Sequence, residues 1–238
     1  MTAVVAERSR VLAALDAVRD PELDEPITTL GFVSSCIVSA AGDVVVRLRL
    51  PTYFCAPNFA FLMVADAYDV VSAVPAVRSV DVALEDHFAS AEINAGVAAR
   101  AGFAVSFAGE AIGELDELRR TFLTKAVLAG TDQVCRPLLA AGLEPAALVT
   151  MTIGDMPPSA QLERLCRRRA ELGLRTDPAA PLLIDPGTGD PITGAAVSLH
   201  LAKARASRVG IEANTGICRG MLRTRYGTAG EGEEEEQG

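Results

Sequence analysis

The stretch "VVVRLRL", Val44 to Leu50, alternates so regularly that an extended strand with one dry face suits it best. Val44, Val46, Leu48 and Leu50 fall on one face, with Val45, Arg47 and Arg49 on the other. Before it stand a strand-like run, "GFVSSCIVSA", and a turn, "AGD" at 41–43. That turn is too short for a crossover, so the two strands must be antiparallel. A third strand is expected over "VRSVDVALE", Val77 to Glu85. Between the second and third lies a helix pattern capped by Asn58 and running to about Val71, with Phe61, Leu62, Ala65 and Tyr68 in its buried stripe. A connection through a helix makes those strands parallel if they are neighbours. The sequence therefore predicts an α+β fold, a small mixed sheet with helices on one face.

Two further helices complete this part. Residues 5–19 place Val11, Leu12, Leu15 and Val18 on one side, and "DPELDEP" stops the helix at Pro21 and Pro26. "SAEINAGVAARAG" starts another, with Ser90 as cap and Gly102 as terminator.

Half of the 238 residues are apolar, which suits a packed protein rather than a disordered one. No uninterrupted apolar run approaches 18 residues, and "MTAVVAERSR" lacks the basic-then-apolar order of an export signal. The expectation is a cytoplasmic protein with no membrane span and reduced cysteines; five is an odd number in any case. A net charge of -9 argues against nucleic acid as a partner. The charge is uneven: residues 1–100 carry a net of -6, and five of the last ten residues are glutamates. The end of the chain, 227–238, reads as a disordered acidic tail.

Cys55 sits after the second strand and just ahead of a helix, in "LPTYFCAPNF" between Pro51 and Pro57. Unpaired amides and the helix dipole favour an anion there, so its thiolate is a candidate ligand for a metal or a sulfur-bearing group. The plain alternative is a small residue filling the turn. One cysteine cannot complete a tetrahedral site. Asp86 and His87, at the end of the third strand, would make a mixed thiolate, carboxylate and imidazole set with Cys55. A surface histidine among acids is the alternative.

"DPELDEPITTLGFV", the hairpin, "LRLPTYFCAPNF" and "VPAVRSVDVAL" resemble the small domain of the SufT/PaaD-like metal–sulfur cluster assembly family, over roughly residues 8–103. The resemblance implies a non-catalytic role in maturing iron–sulfur proteins, a system that also supports a di-iron ring-hydroxylating oxygenase. The family's "DPE" motif falls on Asp20, Pro21 and Glu22, making Asp20 and Glu22 candidate metal or client contacts. Its "DLG" motif falls on Thr29, Leu30 and Gly31, with threonine in place of the acid. Its reactive cysteine falls on Cys55, and "PTY" resembles the phenylacetate-type branch. The family's "DPPW"-like segment is replaced by "EDHFASAEIN", with neither the prolines nor the tryptophan.

The resemblance leaves 104–226 unexplained; the expected division is 1–103, an α+β assembly-like domain, and 104–226, a mainly helical client-specific region. Leu115, Leu118, Phe122 and Leu123 mark a helix ended by Gly130, followed by a short helix interrupted near Pro137. Met151 to Met156 reads as an extended piece, and Ser159 caps a helix with Leu162, Leu165 and Cys166 inward and Arg167 to Arg169 mainly outside. "PLLIDPGTGDPITG" reads as a short strand and a turn; it has no Lys-Ser/Thr, and its prolines remove amides a phosphate loop would need. A last helix covers "AAVSLHLAKARASRVG". Cys135, Cys166, Cys218 and His200 are too widely spaced to announce a structural zinc.

The expected function is an accessory maturation factor for metal-centre assembly, or for the competent apo-state of a metalloenzyme such as a di-iron monooxygenase. The alternative is an iron or iron–sulfur carrier using Cys55, with two chains sharing one site and the metal held transiently. An enzyme with its site in 104–226 ranks third, since no nucleophile–base pair or cofactor cradle is legible there. The expected partners are an apo-metalloenzyme and a second copy of the chain.

Overall fold

The computed structural model describes residues 2–107 and 114–227. The chain forms two compact units, one comprising residues up to Leu115 together with those from Thr215 onward, the other Asp116–Asn214. The expected division falls at 103/104, and the acidic tail beyond Gly227 lies outside the described residues. What the sequence did not suggest is the return of the chain to the first unit at Thr215.

In the first unit, α1 (Thr2–Leu15) precedes β1 (Val33–Val38), β2 (Asp43–Arg49), α2 (Pro57–Ser72), β3 (Ser79–Glu85), α3 (Ser90–Ala98) and the short α4 (Phe103–Ser106). The sheet order is β1-β2-β3, with β1 and β2 antiparallel and β2 and β3 parallel, as expected. Cys36 faces Val46 across the first pair, and Val46 faces Val82 across the second. The hairpin requires glycine at 42: its φ is +86°, and a Cβ there would lie 2.4 Å from the Ala76 carbonyl oxygen.

Val44, Val46, Leu48 and Leu50 are buried against Val11, Leu15, Phe61, Val64, Ile93 and Val97, so the helices do cover one sheet face. Each such side chain contributes about 1.5–3 kcal/mol by leaving water. On the opposite face Arg47 pairs with Asp81 at 2.6 Å. The helix starts need small corrections. Pro57, not Asn58, opens α2, because its fixed φ suits the first helical position, and Ala56 is the capping residue. Ala89 rather than Ser90 precedes α3. The first helix ends at Leu15, yet Val18 remains buried in the turn that follows.

The second unit is mainly helical. The long helix α5 (Glu114–Ala140) enters it from the first unit, followed by α6 (Ala160–Glu171) and most of α7 (Val197–Tyr226). Gly130 does not stop α5. Its missing side chain admits Leu165 of α6, which would lie 3.3 Å from an added Cβ. Pro137 is accommodated within the last turns of the same helix. Ser159 caps α6 as expected, its Oγ accepting from Leu162 N at 3.2 Å. Residues 153–155 form a 3-10 turn rather than an extended piece, because Thr152 and Asp155 bond reciprocally across it. The expected strand within "PLLIDPGTGDP" is reduced to isolated bridges at Pro181 and Ile184.

Arg168 and Arg169 lie inside, contrary to the expectation that the arginine run is solvated. Arg169 continues the stripe of Leu162, Leu165 and Cys166 by helical spacing. Its guanidinium donates to the carbonyls of Pro181 (2.9 Å) and Leu182 and holds that loop onto α6.

Candidate functional site

The loop from Leu50 to Ala56 leaves the end of β2 and enters α2 at Pro57, which fixes both ends of the segment carrying Cys55. Cys55 is half-buried, and its Sγ lies 3.3 Å from Thr52 Oγ1 in a hydrogen-bonding contact. A second segment, Asp86 to Ala89, is tied to this loop by two bonds. Phe88 N donates to the Tyr53 carbonyl at 3.1 Å, and His87 Nε2 meets the Cys55 carbonyl at 2.8 Å.

His87 is thus no surface residue; it is 3% exposed. Ala89 N donates to its Nδ1 at 3.2 Å, so the ring proton belongs on Nε2, where it is donated to Cys55. Burial holds its pKa below the ordinary histidine value, against the opposing effect of the bond to Cys55. Both nitrogens are committed to backbone atoms. The structure brings His87 to Cys55, but to its carbonyl.

Asp86 is engaged by the end of α7. It takes φ +53°, accepts from Tyr226 Oη at 2.9 Å and pairs with Arg225 at 2.6 Å. Among the described residues no three His, Cys, Asp or Glu side chains are grouped to hold a metal ion, so Cys55, Asp86 and His87 are not a preformed ligand set in this arrangement.

Asp20 is buried, and its Oδ1 accepts from Glu22 N (2.9 Å) and Leu23 N (2.8 Å), so the acid shapes its own turn. Burial pushes its pKa up to about 6 in spite of those two bonds. Glu22 is half-exposed beside it. Gly31, in the "TLG" segment, has φ +78°, and a Cβ there would meet Leu222 of α7 at 3.2 Å.

Sequence reasoning gave α7 no part in this region. Its last turns lie against the first unit: Leu222 is in the core, Arg219 pairs with Glu25, and Arg225 Nη1 donates to the Leu50 carbonyl at 3.3 Å. Tyr226 lies under the Arg49 guanidinium, 4.6 Å from ring centre to Cζ. Cys218 packs on the same core as Cys55, and the acidic groups Asp20, Cys55 and Glu22 act on it electrostatically. Burial first, then those groups, pushes its thiol up to about 11. The spacing Thr215, Cys218, Leu222 is an inward helical stripe and was the available signal.

Next to Cys55, three aromatic side chains face water. Phe54 is 76% exposed, Phe88 47% and Tyr53 44%. Their ring centres lie 5.0 Å (Tyr53–Phe54) and 5.8 Å (Phe54–Phe88) apart, forming one patch.

The half-buried Cys55 thiol thus sits on a braced loop that also carries part of an exposed aromatic patch. Residues 8–83 match the iron–sulfur cluster assembly protein family. The match covers the "DPE" turn, the hairpin, Cys55 and most of β3, and it stops short of His87. The N-terminal segment is therefore similar to an assembly family, and the general role this supports is that of an accessory factor in iron–sulfur or metal-cluster assembly. A domain of unknown function, DUF59, from Bacillus anthracis is 28% identical in its crystal structure, covering 35% of this chain and 77% of its own, with a TM-score of 0.33. No curated protein matches the chain. No helix among the described residues is long and apolar enough to cross a membrane.

Proposed function

We propose that this chain is a non-catalytic maturation factor that docks on an apo-metalloenzyme and assists assembly of its metal centre or of its competent apo-state. The observation that carries the reading is the exposed Tyr53, Phe54 and Phe88 patch beside the Cys55 thiol. Clustered exposed aromatics are costly to leave in water and supply the anchoring contacts of protein interfaces. The client class is a di-iron monooxygenase hydroxylase, supported by the likeness of "PTY" before Cys55 to the phenylacetate-type branch. The replaced "DPPW"-like segment, which contributes His87 and Phe88 here, favours a specialised client. The unit Asp116–Asn214 adds surface the matched family segment lacks. The proposed setting is the cytoplasm, with neither nucleic acid nor a membrane as partner.

Co-expression with candidate hydroxylases, with and without this chain, tests the proposal. The expected result is a specific complex and a rise in hydroxylase iron and activity. Unchanged iron and activity would reject it. The second reading, a carrier that holds iron or a cluster transiently through Cys55 with two copies sharing one site, is favoured by the half-buried Cys55 thiol on its braced loop.

A further inference from the structure

The second unit holds a cavity of about 400 Å³ between the last turns of α5 and the start of α6. Cavities of that size take small molecules. Its apolar wall includes Val134 and Met156, both buried in the second core, with Pro137 and Pro157 beside them. Its polar wall comes from two helix faces. Gln133 and Arg136 stand three residues apart on α5, and Gln161 and Arg164 three apart on α6, so helical spacing turns each pair the same way.

Arg136 and Arg164 make no hydrogen bond or ion pair with any described residue. By contrast, Arg168 is paired with Glu171, and Arg208 with Asp132 and Glu212. The carboxylate on the cavity wall, Glu212, accepts from Arg208 Nη1 at 2.6 Å and is thereby engaged. The uncommitted charge of the cavity is therefore positive. Two like charges on one cavity repel, and an anion placed between them relieves that repulsion.

We propose that this cavity binds a small organic anion, its apolar body against Val134 and Met156 and its carboxylate or phosphate head held by Arg136 and Arg164. The guanidinium fork matches either head with two parallel hydrogen bonds. The site is built on packed helices, since Gly130 of α5 admits Leu165 of α6, and the two prolines stiffen its wall. Residues 116–214 lie outside the matched segment 8–83, so the site makes the added unit responsive to a ligand. The proposal goes beyond the maturation reading and does not rest on it.

Isothermal titration of the full-length protein with phenyl phosphate and with benzoate tests the site. Inorganic phosphate and phenol supply the head and the body alone. The parent is compared with Arg136→Gln, Arg164→Gln, the double variant of both and Arg167→Gln, each checked by thermal melt. Arg167 is exposed on the same helix and does not line the cavity. One phenyl phosphate or benzoate per chain is expected, bound about ten-fold or more tighter than inorganic phosphate or phenol. Whichever of the two binds more tightly identifies the preferred head. Each single variant should bind more weakly, the double variant by about ten-fold or more, and Arg167→Gln should match the parent. The single variants decide the matter if the double variant fails to fold. No binding of either anion, or parental affinity in any folded variant of Arg136 or Arg164, would overturn the proposal. Inorganic phosphate or phenol binding as tightly as phenyl phosphate and benzoate would overturn it as well, since charge or apolar contact alone would then account for the binding.

Discussion

At Asp20 and His87, burial acts on two titrating groups with opposite consequences. Asp20 has its carboxyl raised from an ordinary 3.8 to about 6, so the fold binds its proton more tightly than the unfolded chain does. Its contribution to stability is complete below pH 3.8 and is lost as the pH rises through 6, by roughly 2–3 kcal/mol. Asp20→Asn should remove that decline, and melts of both proteins between pH 4 and pH 8 would show the difference narrowing towards acid. His87 is lowered, so its contribution is present above pH 6.5 and is lost as the pH falls through its depressed value. The thiols divide in the same way. Cys55→Ser should cost under about 0.5 kcal/mol, since Thr52 can still bond a hydroxyl there. Cys135→Ser should cost about 1–3 kcal/mol, because that residue is 0% exposed in the second core. Paired thermal melts check both. The position of Cys55 was legible because prolines and a change from alternating to helical pattern bracket it. The role of His87 was not, because its partners are backbone atoms, one of them 32 residues away, and no side-chain pattern records such a bond.

The strands and the helices that cover them were readable because period and turn length are local properties. The helices of the second unit were misread at their glycines. Gly130 looked like a stop and is a contact point with Leu165, whereas Gly210 sits within α7 with nothing within 4 Å of an added Cβ. Gly210→Ala should therefore stabilise the protein by about 0.5–1 kcal/mol, and Gly130→Ala should gain less or lose. Equilibrium unfolding of the two variants separates them; equal gains would contradict the packing described for α5 and α6. The reach of α7 was lost for a related reason. "NTGICRG" lies beyond the stretch expected to be helical and carries two glycines, while Thr215, Cys218 and Leu222 continue the inward stripe through it. Tyr226→Phe, which removes only the bond to Asp86, should lower stability by about 1 kcal/mol in the same measurement.

For the whole molecule, the α+β character of the first unit and the helical character of the second were both within reach of the sequence. The return of the chain at Thr215 was not, because it depends on a long-range pairing of α7 with loops some 140 to 200 residues earlier, such as Tyr226 with Asp86 and Arg219 with Glu25. The exposed patch was likewise hidden: Tyr53, Phe54 and Phe88 become one surface only when the loop bonds to the segment after β3. Phe54→Ala with Phe88→Ala should leave the melt within about 0.5 kcal/mol of the parent while weakening a client complex about ten-fold or more by titration. The most direct test of the account is the iron content and turnover of a hydroxylase client co-expressed with this chain or with its Cys55→Ser variant. The account predicts a folded variant that leaves the client iron-poor and inactive; a client filled and activated equally by both proteins would contradict it.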